Sequence, residues 1–518
     1  MRTPPFWPNQ PGPPLTLGAT WANGPRRRPA ETLGRGEGPV ASSAMQPSGP
    51  PVVIVSNRGP ISFRRGEDGV LIAQRGGGGG LVSGLAPLVA GTDTIWIAAA
   101  LSEADRAAAG LPEGELVEGR PVEGGLVEAE GFRVRLVVVA PDELRMAYDV
   151  VGNSVLWFVH HGLFELARRP RFDQAFRQAW TAFGAYNAAF AGAVVATAPQ
   201  DATVLVQDYH LSLLAPLGRA ARADLRLVHF AHTPFAGPER LSVLPDPYRA
   251  ELLEGLVANT ACGFHTERWR RRFQASCDEF GVPAPPTFVA SLAPDGEDLA
   301  RVAEGDACAA WREHFEQRFA GQQIIVRVDR IELSKNILRG FWAFEELLER
   351  WPSWQGRVCF VASIYPSREG LAEYLAYRQE IEFLVERINH RFGTEQWTPI
   401  VLESSDDFAR SVALLSRYDV LLVNPVSDGM NLVAREGPQV NRHDGVLVLS
   451  TEAGAWEELG EVAIGVHPCD VSATAEALAE ALSLGPVERQ RRAARLVAVA
   501  AARSPKDWLA GQLAAASC

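Results

Sequence analysis

Asp428-Gly429-Met430-Asn431-Leu432-Val433-Ala434-Arg435-Glu436-Gly437-Pro438 is the stretch around which this chain is organised. The apolar run Val420-Leu421-Leu422-Val423 and the turn Asn424-Pro425 precede it, and a helical pattern follows. Strand, short glycine-bearing loop and helix in that order mark the place where an open α/β sheet holds its ligands. Backbone N–H groups at such a helix start suit a phosphate or a polarised hydroxyl. Ionised Asp428 and Glu436 can only accept hydrogen bonds, which sugars and ribose supply. The same residues also suit an ordinary capped surface helix, so the rest of the chain has to decide.

Working outward, several apolar runs deliver polar residues at their carboxyl ends. Pro51 to Val55 leads into Ser56-Asn57-Arg58, Thr203 to Gln207 into Asp208-Tyr209-His210, and Leu225 to Ala231 into His232-Thr233-Pro234-Phe235. Ile324 to Val328 leads into Asp329 to Asn336, and Val358 to Ala362 into Pro366-Ser367-Arg368. Arg330 and Lys335 at one such junction can converge on a diphosphate, one as a planar fork and one as a point charge. Gly76 to Gly80, ahead of Leu81, let a backbone approach a phosphate, although five glycines also suit a flexible linker. Tyr148 offers a hydroxyl to a phosphate oxygen, and Trp157 an indole to a sugar face. Helices are expected over 171–192, 337–350, 370–392 and 406–418, and a strand over 399–402. The usual Rossmann glycine fingerprint is missing, which argues against a nicotinamide or flavin dehydrogenase.

Composition bounds the answer. The chain has 518 residues, 47% hydrophobic and 22% charged, enough for two or three domains with sizeable cores. A net charge of −12 excludes a general nucleic-acid or anionic-membrane surface, so an anionic ligand must be held by a few placed cations. Of the 50 basic residues only Lys335 and Lys506 are lysines. A lysine kept inside a motif under such a bias points to a need for a compact ammonium. Six cysteines without CxxC or zinc spacing read as reduced thiols, hence a cytoplasmic protein. No apolar run approaches the roughly 20 residues of a membrane span. Residues 1–50 are rich in Pro, Gly and Arg without periodicity and are expected to be disordered. Arg26-Arg27-Arg28 is not followed by an apolar stretch, so no secretory signal is expected, and either Met1 or Met45 suits the start.

From about residue 51 to 518 these pieces together resemble the trehalose-6-phosphate synthase family of retaining glycosyltransferases, family 20. The match rests on Ser56-Asn57-Arg58, the glycine loop, Tyr148 with Trp157, Asp208-Tyr209-His210, and His232 with Pro234-Phe235. It continues through Arg330, Ser334-Lys335, Ser367-Arg368 and Asp428 to Glu436. The resemblance implies an α/β GT-B fold, with two Rossmann-like domains facing a central cleft and a C-terminal helix returning to the first. It also implies that Arg58, Tyr148, Trp157, Asp208 and Arg368 hold a sugar-phosphate acceptor. Gly79 and Gly80 would lie against a nucleotide-sugar donor, and Arg330 and Lys335 would grip its diphosphate. Asp428, Met430, Asn431, Leu432, Val433, Ala434, Arg435 and Glu436 would bind donor sugar and ribose. Asp208, His232, Arg330 and Lys335 are the expected catalytic set. The implied reaction moves glucose from a nucleoside diphosphate to glucose 6-phosphate, with no metal and no cofactor. The leaving phosphate itself would accept the acceptor's proton.

The expected division is a tail at 1–50, an acceptor domain at 51–293, a nucleotide-sugar domain at 294–490 and a helical tail at 491–518. The junction falls in the proline-bearing stretch 281–322. Departures from the family pattern are Ile97 to Ala100 in place of a Trp- and Gly-rich stretch, Asn336 in place of glycine, and Ser427 in place of arginine. The interdomain link reads Ser291-Leu292-Ala293-Pro294-Asp295. They leave open another phosphorylated acceptor, such as glycerol phosphate or a cyclitol phosphate, and a non-catalytic regulatory homologue. A homo-oligomer is compatible with the sequence; nucleic acid and membrane are not expected partners. Because residues 1–50 lack the apolar content to pack, their removal is expected to leave melting temperature and turnover unchanged, as thermal denaturation and steady-state assays would show.

Overall fold

The computed structural model describes residues 50–75, 80–110, 120–122, 126–368, 370–404 and 406–517. The expected N-terminal tail up to residue 49 and Gly76 to Gly79 lie outside them.

Two sheets organise the described residues. The first has nine strands, in the order Thr287–Val289, Ala261–Phe264, Arg226–Ala231, Thr203–Gln207, Val52–Ser56, Ile95–Ala99, Phe132–Val137, Leu126–Ala129 and Arg120–Val122. Its first seven strands run parallel, and the last two return antiparallel at the edge. The second has six parallel strands, in the order Ile400–Glu403, Val358–Tyr365, Gln323–Arg330, Val420–Val423, Val446–Ser450 and Ile464–Val466. Central strands buried on both faces read as continuous apolar runs, which is why they were legible in the sequence.

Alternate residues of each strand feed opposite faces. Val53, Val55, Val204 and Val206 enter one core with Phe183 and Tyr186, while Ile54, Leu205 and Val228 enter another. In the second sheet Phe360 and Leu422 face one core, and Val361 and Leu421 the other.

Element boundaries follow local chemistry. The helix expected over 171–192 spans Gln174–Thr197, because Asp173 caps it by accepting from the Phe176 N–H and Pro199 prevents its continuation. The helix expected over 337–350 is Ile337–Arg350. Met146–Leu156 is a widened helical turn, with the Trp157 N–H donating to the Gly152 carbonyl five residues back. It continues as Trp157–His161 and stops at left-handed Gly162.

Thr287–Val289 still pairs in the first sheet, whereas Leu299, Cys308 and Phe315 pack in the second domain's core. The C-terminal segment divides between the domains. Helix Pro486–Ala500 buries Leu496 and Ala500 in the second domain, and helix Pro505–Ala515 crosses back to the first. There Trp508 is 1% exposed and stands edge-on to Phe230, with ring centres 5.3 Å apart. Gln512 accepts a 2.9 Å hydrogen bond from Gln207 beneath it.

Losing that anchor leaves a large cavity in the first domain's core. Trp508→Ala is expected to destabilise the protein by about 3–5 kcal/mol, read by chemical denaturation. A loss below about 1 kcal/mol would mean that the returning helix does not depend on the indole.

Candidate active site

In each sheet the strand order reverses at one point, and polar residues collect at the carboxyl ends beside it. In the second sheet this lies between Gln323–Arg330 and Val420–Val423. Lys335 follows the first of these strands and Asp428 the second, and their Nζ and Oδ2 atoms meet at 2.6 Å. Burial opposes the Lys335 charge, but Asp428, Asp329 and Glu332 outweigh it and hold the ammonium above its ordinary range. For Asp428 burial raises the pKa, and the Lys335 ammonium more than reverses that. Asn431 donates to the same carboxylate at 3.1 Å from a left-handed backbone, φ +77°. Arg330 is half-exposed and pairs with buried Glu332 at 3.1 Å. Burial works to raise the Glu332 pKa, and Arg330, Arg368 and Lys335 together bring it down to about 2.

The first sheet reverses between Val52–Ser56 and Thr203–Gln207, where Arg58 and Asp208 stand. Arg58 reaches the Tyr148 hydroxyl at 3.4 Å, and Tyr148 stacks on His210. Asp208 adopts φ +70°, ψ +169°, outside the left-handed helical region and in a conformation that residues other than glycine rarely occupy, so its backbone is strained. Burial pushes its carboxyl up to about 6 despite hydrogen bonds from the Tyr209 and His232 N–H groups. Arg368 arrives from the second domain and bridges the two. It donates to Tyr374 at 2.5 Å and Tyr209 at 3.5 Å and lies over the Trp157 ring at 5.1 Å.

The domains meet tightly here. A Cβ on Gly429 would stand 1.8 Å from the His232 carbonyl oxygen, so only glycine lets the Asp428 loop lie on the first domain. Trp269 donates to the Gly429 carbonyl at 2.9 Å. Glu457 accepts from the Glu267 and Arg268 N–H groups at the start of a first-domain helix.

Three expected site residues have their side chains committed elsewhere. Trp157 is 2% exposed, its ring stacked on His161 and covered by Arg368, so it supports that arginine and opens no face to a sugar. Arg435 is fully buried, pairing with Glu458 at 2.8 Å and donating to Ser291 at 3.0 Å across the domain boundary. His232 has both ring nitrogens engaged in a directed chain. The Leu292 N–H donates to His265 Nδ1, His265 Nε2 to His232 Nδ1 at 3.3 Å, and His232 Nε2 to Gln207 Oε1 at 2.9 Å. Gln207 then donates to Gln512 of the returning helix. This order assigns one tautomer to each ring and leaves His232 no lone pair for proton transfer. Burial lowers its pKa well below the ordinary value, and those of His160, His161, His210, His229 and His265 to about 3 or 4.

Along the loop, Met430 and Ala434 are buried in the second domain's core with Leu432 and Val433 packed against it. Gly80 meets this loop from the first domain, since a Cβ on it would touch the Leu432 side chain at 2.7 Å. Gly79 lies outside the described residues. Glu436 has no hydrogen-bond or ion-pair partner for its carboxyl among the described residues, and burial raises its pKa to about 7. Sequence reasoning passed over Tyr209, Tyr374, Glu332, Gln207 and Trp269. Glu332 and Tyr209 sit inside quoted motifs, but nothing local marks Tyr374 or Trp269, whose partners lie far along the chain.

The model of the family described as glycosyltransferase family 20 matches residues 50–517. The chain belongs to this family and is a glycosyltransferase. An α,α-trehalose-phosphate synthase (UDP-forming) of Schizosaccharomyces pombe is 33% identical over 462 residues, 85% of each chain. A bifunctional trehalose-6-phosphate synthase/phosphatase of Thermoproteus tenax is 34% identical over 378 residues, and the match spans half of that longer protein. Among solved structures, a Burkholderia xenovorans α,α-trehalose-phosphate synthase in complex with glucose-6-phosphate superposes with TM-score 0.77. It is 25% identical, with 90% of this chain and 100% of that one covered. An E. coli structure bound with UDP-2-fluoro glucose gives 0.75 at 26% identity, covering 90% and 98%. The two sheets and the returning helix described above are the GT-B fold of these neighbours.

Two departures from the family pattern acquire physical reasons. Asn336 adopts φ +60°, ψ +40°, the left-handed region that glycine prefers and asparagine tolerates, and its amide donates to the Asn424 and Pro468 carbonyls. In the link, Ser291 donates to Glu458 at 2.7 Å, and Asp295 caps the helix Gly296–Glu304.

Glu436 generates a pH prediction. Its folded pKa of about 7 stands above the ordinary 4.5, so the native state binds the proton more tightly. The stability contribution is present below the unfolded pKa and is lost as pH rises through the folded one. Glu436→Gln is expected to match the wild type near pH 4.5 and exceed it above pH 7, by up to about 3 kcal/mol. Denaturation from about pH 4.5 to 8 checks this; a difference independent of pH would reject the half-buried, unpaired carboxylate.

Proposed function

We propose that the chain transfers glucose, with retention, from uridine diphosphate glucose to glucose 6-phosphate, forming α,α-trehalose 6-phosphate. The observation that carries this reading is the gathering of cations in one cleft, with Arg330 and Lys335 at the strand ends of the second sheet and Arg58 of the first domain met by Arg368, which reaches across from the second. The first group suits a diphosphate leaving group and the second a phosphorylated acceptor. The UDP-forming relatives support the uridine base, and the glucose-6-phosphate complex of the neighbour supports the acceptor.

In this reading the bond from the donor's anomeric carbon to the diphosphate oxygen breaks, and the electron pair leaves with the phosphate. Arg330 and Lys335 stabilise that growing charge from positions already fixed by Glu332 and Asp428, so little reorganisation is needed. The acceptor's anomeric hydroxyl attacks from the same face, and its proton passes to the leaving phosphate oxygen. Asp208 orients acceptor hydroxyls. Asp428 and the backbone of the Met430 to Glu436 loop receive the donor sugar. Glu436 accepts from the ribose hydroxyls, which explains a half-buried carboxylate without a protein partner. His232 contributes its backbone carbonyl beside Gly429 in place of an acid or base. The free cysteines Cys262, Cys277, Cys308, Cys359 and Cys469 support a cytoplasmic location.

Mass spectrometry of products from a matrix of nucleotide-sugar donors and phosphorylated acceptors tests the assignment. A disaccharide phosphate is expected from glucose 6-phosphate and almost none from glucose. Equal efficiency with both would overturn the phosphate clamp, and activity only with a non-hexose phosphate would reassign the acceptor. Lys335→Ala is expected to lower kcat by about 100-fold or more, because a preorganised charge facing the leaving group is lost. Lys335→Arg should recover little of it, since the planar fork cannot occupy the ammonium's place beside Asp428.

A further inference from the structure

Outside the cleft, the described residues include a pocket of about 410 Å³ lined by Gly237, Glu239, Arg240, Arg271, Arg272 and Ala275. Its walls are the short helix Pro238–Leu241 and the helix Glu267–Glu279. The charges around it do not cancel. Glu267 is engaged by Arg270 at 2.6 Å and Arg271 at 2.8 Å, and Glu452 is paired with Arg268 at 3.2 Å. Arg240 and Arg272 have no ion-pair partner among the described residues, although each buries an Nη1 that no protein atom accepts. Arg240 lies on Gly162, where an added Cβ would stand 2.6 Å from its Cζ. Arg272 lies over the Trp269 ring at 4.9 Å. Both guanidinium groups are thereby held in place, with Glu239 as the one lining carboxylate. Burial, Arg240 and Arg268 push the Arg272 pKa down, and Glu452 and Glu239 offset this only in part.

Planar guanidinium groups recognise phosphate oxygens through paired hydrogen bonds, and three of them line this one cavity beside a single carboxylate. We infer that this pocket binds a phosphate dianion, either free or carried on a small metabolite, as a site separate from the transfer reaction. Its volume exceeds that of orthophosphate alone and falls within the range of small-molecule sites. Two of the lining arginines connect the pocket to the cleft through their neighbours. Arg240 rests on Gly162, the cap of the helix carrying Trp157 and His161, and Arg272 covers Trp269, which holds the Gly429 carbonyl of the donor loop. An anion drawing the two arginines together therefore acts on acceptor helix and donor loop at once. That coupling rests on the function proposed above, whereas the binding site does not.

Isothermal titration of the full chain with inorganic phosphate and with glycerol 2-phosphate tests the site, with glycerol and sodium chloride as controls. A saturable site is expected that persists in Arg368→Ala, which alters the cleft. It should weaken about tenfold or more in Arg272→Gln and in Ala275→Glu, where a charge-assisted hydrogen bond is lost or an acidic side chain fills the pocket from an exposed helix position. Tighter binding of glycerol 2-phosphate than of phosphate assigns a phosphorylated metabolite, and equal binding assigns the free ion. Absence of saturable binding, an equal response to sodium chloride, or unchanged binding in both pocket variants would overturn the inference. Melting temperature of Ala275→Glu, expected to equal that of the wild type, separates loss of binding from loss of fold.

Discussion

Everything in the cleft depends on how closely the Asp428 loop approaches the first domain. Gly429 lies on the His232 carbonyl with no room for a Cβ, and Gly454 lies equally close to the Gly429 carbonyl. Two backbones in contact bring the reversal points of two sheets face to face. Trp269 then fixes the loop by donating to the same Gly429 carbonyl. Arg368 can reach Tyr209 and cover Trp157 only because this contact has set the distance between domains. A larger residue at 429 would displace the loop before any catalytic group was touched.

Charge in the cleft is arranged as opposed pairs with the histidines kept out of it. Lys335 faces Asp428, and Arg330 faces Glu332, so each cation is held in position by a protein carboxylate. Six buried histidines surround the first domain's part of the site, and burial holds all of them neutral. Asp208 and Glu436, with pKa values of about 6 and 7, are the cleft carboxylates that burial moves towards neutral pH. Burial raises Asp329 and Asp149 as well, against the pull of Arg327 and Lys335 on the first and of Arg145 and Arg368 on the second.

The C-terminal helix is part of the same construction. Gln512 closes the hydrogen-bond chain through Gln207, His232 and His265 to the Leu292 N–H, in the link between domains. Trp508 buries its ring against both Phe230 and His232. The last helix thus sets the tautomer of a cleft histidine while anchoring the chain's end.

Sequence alone determined the parallel α/β architecture, because strands buried on both faces must be continuous apolar runs and each ended in a recognisable polar turn. It also placed Arg330, Lys335, Asp208 and Asp428 at strand ends, since chemistry and spacing are local properties. Tertiary structure decided which side chains remain free. Arg435 and Trp157 sit inside motifs yet are consumed by Glu458, Ser291, His161 and Arg368, partners separated from them in sequence. His232 is likewise silenced by Gln207 and His265. Whether a polar group is available depends on what packing brings within hydrogen-bond distance, and that is set by contacts between residues far apart in the chain.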